Sequence, residues 1–394
     1  MDVLLDEQET EVQAAMAAFL RAESTPALVR LAEKDPARYA KPLWDRFAAL
    51  GWLGLCLPEA SGGQGLPIPF LGLLMEEAGR TLAPLPLHGT LVTAMVLARH
   101  GTPAQRALLT QVASGGLVLS YAVHEQAGRW SADAVGLTGR REGDTIVLSG
   151  SKYFVDHFRA SGRCLVAFRG EDDQTGAVLV DPRTRGIRCE DLSPTAKDAE
   201  AVVHFDGVRV PAADLVGDGP AAVDTLMDLA SVLLAAQMEG AARRTMELAV
   251  AYVNQREAFG QPIGAFQAIQ HMAADMVNAV DGTQLLVREA IWRIGEGLPA
   301  RVEVSQAKSF ANEQCLKVCR GAQQMHGGIG FIAEFDLQLW YRRVTSWSLR
   351  GGTTHEHRRR IASALLDTPG SVQLGMTLEL PSSSTITVHP RGLP

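Results

Sequence analysis

The sequence is poor in aromatic residues and has no excess of positive charge. Aromatic residues make up 6% of its 394 residues, the formal net charge is −7 and the pI is about 5.8. Proteins that bind a nucleic-acid backbone need clustered Lys and Arg side chains to neutralise phosphate. The composition therefore excludes nucleic acid as a partner.

Cysteine is also scarce, which argues against a disulfide framework or a metal site. The chain has five cysteines, and only Cys315 and Cys319 lie one helical turn apart. We expect buried core thiols in a reducing compartment. His355, Glu356 and His357 could suggest a metal, but residues two apart on a helix do not share a face. We therefore predict no metal site.

A long apolar run and a basic leader are missing as well. The longest apolar run, around residues 229–236, is far too short to span a bilayer. Residues 1–7 are acidic where a secretory signal would be basic. We expect a cytoplasmic protein that does not enter a membrane.

The residues that are present suit two or three structural domains around a large core. Hydrophobic residues make up 46% of the chain and charged residues 21%, as in ordinary globular proteins. Residues 1–115 read as an N-terminal helical domain, since Ala- and Leu-rich segments at 8–22 and 69–83 have helical spacing.

The sequence pattern changes from helical spacing to short β-prone runs at about residue 116, and these runs follow one another without intervening helices. This pattern predicts a compact antiparallel β domain over residues 116–218 rather than βαβ units. The runs are 117–123, 145–148, 164–168, 177–180 and 201–205.

Helical spacing returns over residues 219–366, where two or three long helices would pack as a C-terminal bundle. Leu226, Leu229 and Leu233 illustrate the three- and four-residue steps. The remaining residues, 367–394, carry Pro-Gly and a Ser run and are predicted to be an irregular tail.

Two segments carry a specific family resemblance. Residues 256–263, Arg-Glu-Ala-Phe-Gly-Gln-Pro-Ile, and 324–331, Gln-Met-His-Gly-Gly-Ile-Gly-Phe, closely resemble the two signature stretches of the acyl-CoA dehydrogenase family. The resemblance covers roughly residues 1–366. It implies an α+β fold with an N-terminal helical domain, a middle antiparallel β domain and a C-terminal four-helix bundle.

The resemblance also implies FAD as cofactor, an acyl-CoA as substrate and an electron-transferring flavoprotein as electron acceptor. In the family, one subunit's helices reach the pyrophosphate and adenosine of a flavin held by its neighbour. An Arg suits this task because its planar fork can bind phosphate oxygens in pairs. The matching positions here are Arg256, Phe259, Gln267, Gln324, Gly327, Gly328 and Thr353.

The chain departs from the family in its own flavin pocket. Tyr121, Val123 and Phe154 match cofactor-contacting positions, but their neighbours are altered. His124 replaces a small hydroxyl, Arg129 and Trp130 replace small residues, and Asp156 replaces a neutral hydroxyl near the electron-rich ring. A carboxylate there would disfavour an anionic reduced flavin. We predict that this half of the site is impaired.

The catalytic base of the family is missing at both positions where the family carries it. Dehydrogenation needs a carboxylate to remove the α-proton. The two positions hold Gly351 and Ala230. Asp228 and Glu239 flank Ala230 but point away from it at helical pitch, so we expect them to be surface charges. Gly351 could offer only a backbone N–H to a thioester carbonyl.

Three hypotheses follow. The chain is the non-catalytic subunit of a heteromeric, steroid-type acyl-CoA dehydrogenase and completes the FAD site of a second, Glu-bearing subunit. Alternatively, it is a self-sufficient flavoenzyme of the same fold with another base or a non-CoA substrate. The third is a flavin-free assembly protein, which would not need phosphate-binding groups such as Arg256.

Overall fold

The computed structural model describes residues 4–126 and 128–367, together with the backbone of Gln373–Leu374 and Met376–Thr377. The predicted irregular tail, 367–394, otherwise lies outside the described residues. Seven helices precede the first strand: α1 Glu7–Glu23, α2 Pro26–Ala32, α3 Lys41–Ala49, α4 Pro69–Thr81, α5 Leu87–His100, α6 Pro103–Ala107 and α7 Leu109–Ala113.

Local sequence signals explain where several of these helices begin. Asp6 and Glu9 form a capping box at α1, in which Glu9 N donates to Asp6 Oδ1 at 2.7 Å. Helices α2, α4 and α6 begin at a proline, whose missing N–H is not needed in the first turn. The two helices predicted from spacing, 8–22 and 69–83, correspond to α1 and α4.

The middle region is one seven-stranded sheet. Its strands are β1 Leu119–Ala122, β2 Thr138–Glu142, β3 Thr145–Asp156, β4 Arg163–Arg169, β5 Thr175–Val180, β6 Ile187–Asp191 and β7 Glu200–Pro211. The order is β1-β4-β2-β3-β7-β6, with β5 also paired to β4. Most pairs are antiparallel, but β4 is parallel to β1 and, at one residue pair, to β2. The predicted middle β domain is therefore confirmed, and the pairings of β4 with β1 and β2 are parallel exceptions to its mainly antiparallel pairing.

The C-terminal region is helical, as predicted, with five α-helices after residue 219 in the described part of the chain. They are α8 Pro220–Gln255, α9 Gln267–Gly295, α10 Arg301–His326, α11 Leu337–Trp347 and α12 Thr354–Leu366. Short strands β8 Glu257–Ala258 and β9 Gln261–Pro262 form a hairpin between α8 and α9, and β10 Gln373–Leu374 pairs with β11 Met376–Thr377.

Helix α8 is the central helix of the protein. By length and mean hydropathy it could span a membrane, but 72% of its most apolar window is buried inside the protein. Its buried side chains pack against α4, α9 and α10, so its apolar surface is used in the core. The carboxyl end of α8 carries the signature segment 256–263.

Candidate functional site

The residues predicted to contact a flavin held by a neighbouring subunit lie at one end of the helical region. The ring of Tyr252, near the end of α8, stacks on His326 at the end of α10 with 4.4 Å between ring centroids. Arg256 directly follows α8, Gly327 directly follows α10, and Gln267 begins α9. Two segments that lie far apart in the sequence therefore meet at one surface.

The polar side chains at this surface point outward. Arg256, Gln267 and Gln324 are exposed. Among the described residues, none of their side chains makes a hydrogen bond or an ion pair. Phe259 is 94% exposed and has a left-handed φ of 56°, which is strained for an aromatic residue. These groups are available to a molecule outside the chain.

The glycine turn beside them leaves its backbone accessible. Gly327 has a φ of 62° and ends α10, a conformation that glycine adopts without steric cost. A Cβ built on Gly327 or Gly328 would meet nothing within 4 Å. The turn therefore leaves its backbone open to close approach by a molecule outside the chain.

The second group of predicted residues surrounds Gly351, which is buried. Its N–H faces His124 Nε2 at 3.3 Å, and its carbonyl oxygen accepts a hydrogen bond from His357 Nε2 at 2.8 Å. Ser231 Oγ lies 3.0 Å from the same carbonyl. The N–H that we expected Gly351 to offer to a thioester is already directed at His124. At the position of the missing base, the backbone groups of Gly351 therefore bond to residues of the same chain.

Trp130 fills the space beside Gly351. Its side chain is completely buried, and its indole N–H donates to Ser231 Oγ at 2.9 Å. The His124 ring lies against the Trp130 indole, with 4.5 Å between the ring centroids. The backbone N–H of Trp130 donates to Glu356 Oε1 at 2.5 Å. Trp130, which replaces a small residue of the family pattern, is therefore packed inside the protein next to Gly351.

Arg350, next to Gly351, is the centre of a buried ionic network and lines a cleft together with Asp156 and His88. Its guanidinium pairs with Asp156 and donates to Glu200 Oε1 at 3.1 Å. Burial would lower the pKa of Arg350, but the two carboxylates outweigh it and hold the pKa well above its usual range. Burial raises the pKa of Glu200 to about 7, against the opposing effect of Arg350. For Asp156, Arg350 outweighs burial and lowers the pKa.

The histidines of this region are buried as neutral rings. Burial lowers the pKa of His88 to about 4 and that of His124 and His357 to about 3. His88 Nε2 lies 3.0 Å from Ala230 O, and Tyr121 Oη lies 3.4 Å from His88 Nδ1. The alternative base position, Ala230, is thus covered by a neutral histidine.

The other predicted contacts have internal partners or partial exposure. Thr353 caps α12, and its hydroxyl lies 2.8 Å from Glu356 Oε2. Val123 is buried, and its carbonyl accepts a hydrogen bond from Lys152 Nζ at 3.2 Å. Phe154 is 43% exposed and has a φ of 56°. Their roles as cofactor contacts stay predictions.

Several residues that shape this region were not found from the sequence. Arg350, Glu200 and His88 were missed; the adjacency of Arg350 to Gly351 was a usable signal for the first. Lys308 was also missed. It is fully buried, and its Nζ donates to Trp347 O at 3.1 Å; burial lowers its pKa to about 7.

Asp228 and Glu239, the two carboxylates that flank Ala230 on α8, are not both the surface charges that the sequence predicted. Glu239 is not a surface charge, since it is 1% exposed, and burial raises the pKa of Asp228 to about 6. No group of His, Cys, Asp or Glu residues within the described ranges has the arrangement of a metal site.

The whole architecture matches known proteins. The N-terminal domain of acyl-CoA dehydrogenases matches residues 6–116, and the C-terminal domain of acyl-CoA dehydrogenases matches residues 217–366. The chain belongs to the acyl-CoA dehydrogenase family. Members of this family depend on FAD, which is the cofactor of the family's redox chemistry.

Individual relatives of this acyl-CoA dehydrogenase chain include an enzyme and two multi-chain complexes. The 3-(aryl)acrylate reductase of Clostridium sporogenes is 30% identical over 347 residues, which cover 84% of this chain and 91% of that protein. A chain of a Tcur3481-Tcur3483 steroid acyl-CoA dehydrogenase variant has a TM-score of 0.87 at 32% identity, over 93% of this chain and 99% of that chain.

The second structural neighbour is a chain of the ChsE4-ChsE5 complex from Mycobacterium tuberculosis. It has a TM-score of 0.88 at 25% identity and covers 94% of this chain and 100% of that chain. Each of the two structural neighbours carries the names of two proteins, and the second is described as a complex.

The two halves of the site differ in how they fit FAD. The outward surface around Arg256 and Gly327 has side-chain donors without partners among the described residues, an open backbone and a positive charge, which fit a dinucleotide. The inward region around Gly351 fits an isoalloxazine ring with a thioester less well, because the buried Trp130 packs beside Gly351 and the Gly351 N–H is already directed at His124.

Proposed function

We propose that this chain is the non-catalytic subunit of a heteromeric acyl-CoA dehydrogenase and completes the FAD site of a second, Glu-bearing subunit. The observation that carries the proposal is the asymmetry between its two half-sites. Arg256, Gln267 and Gln324 face solvent and have no side-chain partner in the part of the chain that the structure describes, whereas Trp130 is completely buried beside Gly351.

The chemistry assigns different tasks to the two subunits. Bound FAD would supply the hydride acceptor for the β-hydrogen, and the reaction would also need a base for the α-proton. In this chain the base positions are Gly351 and Ala230, and neither side chain can accept a proton. Arg256 would bind pyrophosphate oxygens, and the turn at Gly327, which has no side chains at residues 327 and 328, would let the cofactor approach the backbone closely. In this proposal the chain binds and orients the cofactor, and the partner subunit supplies the base that removes the α-proton.

The solved relatives support a two-protein assembly. One neighbour is named as part of a steroid acyl-CoA dehydrogenase and the other as part of a ChsE4-ChsE5 complex. We therefore propose a bulky, steroid-type acyl-CoA as substrate and an electron-transferring flavoprotein as acceptor. A shared cofactor requires at least one copy of each subunit.

The test is co-expression of the chain with an acyl-CoA dehydrogenase that carries the catalytic Glu. Flavin per chain is measured by absorbance, and turnover is measured with a panel of acyl-CoA thioesters. We expect about half a flavin per chain in the complex, and turnover in the complex but not in the lone chain.

A matched pair of variants separates cofactor binding from assembly. Arg256→Gln removes the charge and the fork, so the complex should still form but lose flavin. Arg141→Gln changes an exposed arginine on the β2–β3 hairpin and should leave flavin content unchanged. One flavin per chain with turnover in the lone protein would support the self-sufficient enzyme, and an assembled complex with flavin unaffected by Arg256→Gln would support the assembly protein.

A further inference from the structure

A second cleft lies between the carboxyl-terminal halves of α1 and α8, the end of α4 and the first half of α11. Its volume is about 360 Å³. Arg21 and Thr25 line it and are exposed, so the cleft opens to solvent. Arg244, which also lines it, lies about 20 Å along α8 from Ser231, the residue that contacts Gly351. A cleft of this size, remote from Gly351, can hold a small organic molecule.

Three guanidinium groups line this cleft, and each comes from a different helix. They belong to Arg21 on α1, Arg80 on α4 and Arg244 on α8. Arg21 is exposed, and the side chains of Arg80 and Arg244 are partly exposed. None of the three is therefore sealed inside the protein, and a molecule in the cleft can reach them.

One carboxylate in the wall is shared by two of these arginines. Glu247 Oε1 lies 2.6 Å from Arg80 Nη2, and Glu247 Oε2 lies 3.4 Å from Arg244 Nη1. In the part of the chain that the structure describes, the Arg21 side chain makes no hydrogen bond or ion pair. Glu247 therefore balances only part of the positive charge around the cleft.

The second carboxylate in the wall, Glu77, is an incomplete counter-charge. Its side chain is 7% exposed, and Arg80 Nε lies 3.7 Å from its Oε2. Burial raises the pKa of Glu77 to about 7, and the charge of Glu76 adds to this, against the opposing effects of Arg80, Gln13 and Arg21. About half of the Glu77 side chains are therefore neutral at pH 7. The cleft keeps an excess of positive charge.

The rest of the wall offers apolar contact. Trp340 is buried, and its indole N–H donates to Arg80 O at 3.0 Å. Because that N–H is bonded inside the protein, the ring offers its apolar carbon surface to the cleft. Ala17 and Pro26 line the cleft as well. A ligand that suits these walls has an apolar part beside its charged group.

We propose that this cleft binds a small aromatic carboxylate, whose charged group pairs with Arg21 and Arg244 while its ring packs against Trp340 and Pro26. A carboxylate brings the missing negative charge, and its two oxygens match the fork of a guanidinium. An alcohol with the same ring would bring no charge. An ammonium group would add to the positive charge that is already present.

The test uses 4-fluorobenzoate as the probe, with fluorine NMR titrations on the full chain at pH 8. The neutral 4-fluorobenzyl alcohol and the cationic 4-fluorobenzylammonium carry the same ring and serve as ligand controls. We expect 4-fluorobenzoate to bind at least about tenfold more tightly than the alcohol, because hydrogen bonds to charged groups are the stronger ones. The ammonium compound should not bind.

Two variants of the cleft should change the affinity in opposite directions. Arg21→Gln removes the unpaired guanidinium and should weaken 4-fluorobenzoate binding at least about fivefold. Glu77→Gln removes a competing negative charge and should tighten binding at pH 8, where Glu77 is mostly ionised. Arg106→Gln changes an exposed arginine on α6 outside the cleft and should have no effect. Thermal melting checks that each variant is folded.

The proposal is overturned if the alcohol binds as tightly as 4-fluorobenzoate, or if no binding is detected. It is also overturned if folded Arg21→Gln binds 4-fluorobenzoate like the original chain, or if folded Glu77→Gln does not bind it more tightly. The ligand comparison uses the unmodified chain and decides the matter even if a variant fails to fold. None of these measurements involves flavin, so they are independent of the subunit role proposed above.

Discussion

Replacing Arg350 by methionine should strongly destabilise the chain. The Arg350 side chain is 11% exposed and pairs with Asp156 and Glu200, which are 16% and 3% exposed. Methionine fills similar space without charge, so both carboxylates lose their partner inside the protein. Breaking a buried ion pair in this way costs about 3–5 kcal/mol, and we expect Arg350→Met to lower the free energy of unfolding by that amount at neutral pH.

The same reasoning predicts how the loss can be reversed. Asp156→Asn and Glu200→Gln added to Arg350→Met remove the unpaired charges, so the triple variant should recover most of the stability. Acidification should also reduce the penalty of Arg350→Met, since the pKa of Glu200 is already about 7 and protonation removes its charge.

Urea unfolding followed by circular dichroism measures these differences on the lone chain. A control, Arg183→Met, removes an exposed arginine that pairs with Asp181 and should change the stability by no more than about 1 kcal/mol. The reasoning is refuted if Arg350→Met loses less than the control does, or if the triple variant is as unstable as the single one.

Three further predictions concern the packing around Gly351. Trp130→Ala removes a completely buried indole and should cost about 3–5 kcal/mol in urea unfolding, whereas a loss below about 1 kcal/mol would mean that the ring is not packed. The pKa of His124 is about 3 in the folded chain and 6.5 in the unfolded chain, so the unfolded chain binds the proton first as the pH falls. The stabilisation by neutral His124 is therefore complete above pH 6.5 and is lost at lower pH. Between pH 7 and 5, His124→Phe should lose less unfolding free energy than the original chain, by about 2 kcal/mol. Gly352→Ala places a Cβ 2.4 Å from His357 Nε2 and should lower the melting temperature more than Gly143→Ala, where a Cβ meets nothing; equal effects would contradict this.

Much of the fold was accessible from local patterns. Helical spacing predicted α1 and α4, and short β-prone runs predicted the middle sheet, because these signals depend on neighbouring residues. The parallel pairing of β1 with β4 was not predicted. It depends on which strands become neighbours across residues 123–162, and strand composition does not encode that choice.

The sequence by itself determined that neither family position for the catalytic base holds a carboxylate. Gly351 and Ala230 carry no acid group in any fold, and the match of Arg256 and Gly327 to the family pattern was visible without coordinates. Only the tertiary structure decided how the space is used. The pair between Arg350 and Asp156 joins residues 194 positions apart. Such contacts arise from the packing of the β sheet against the helices, so no local pattern predicts them.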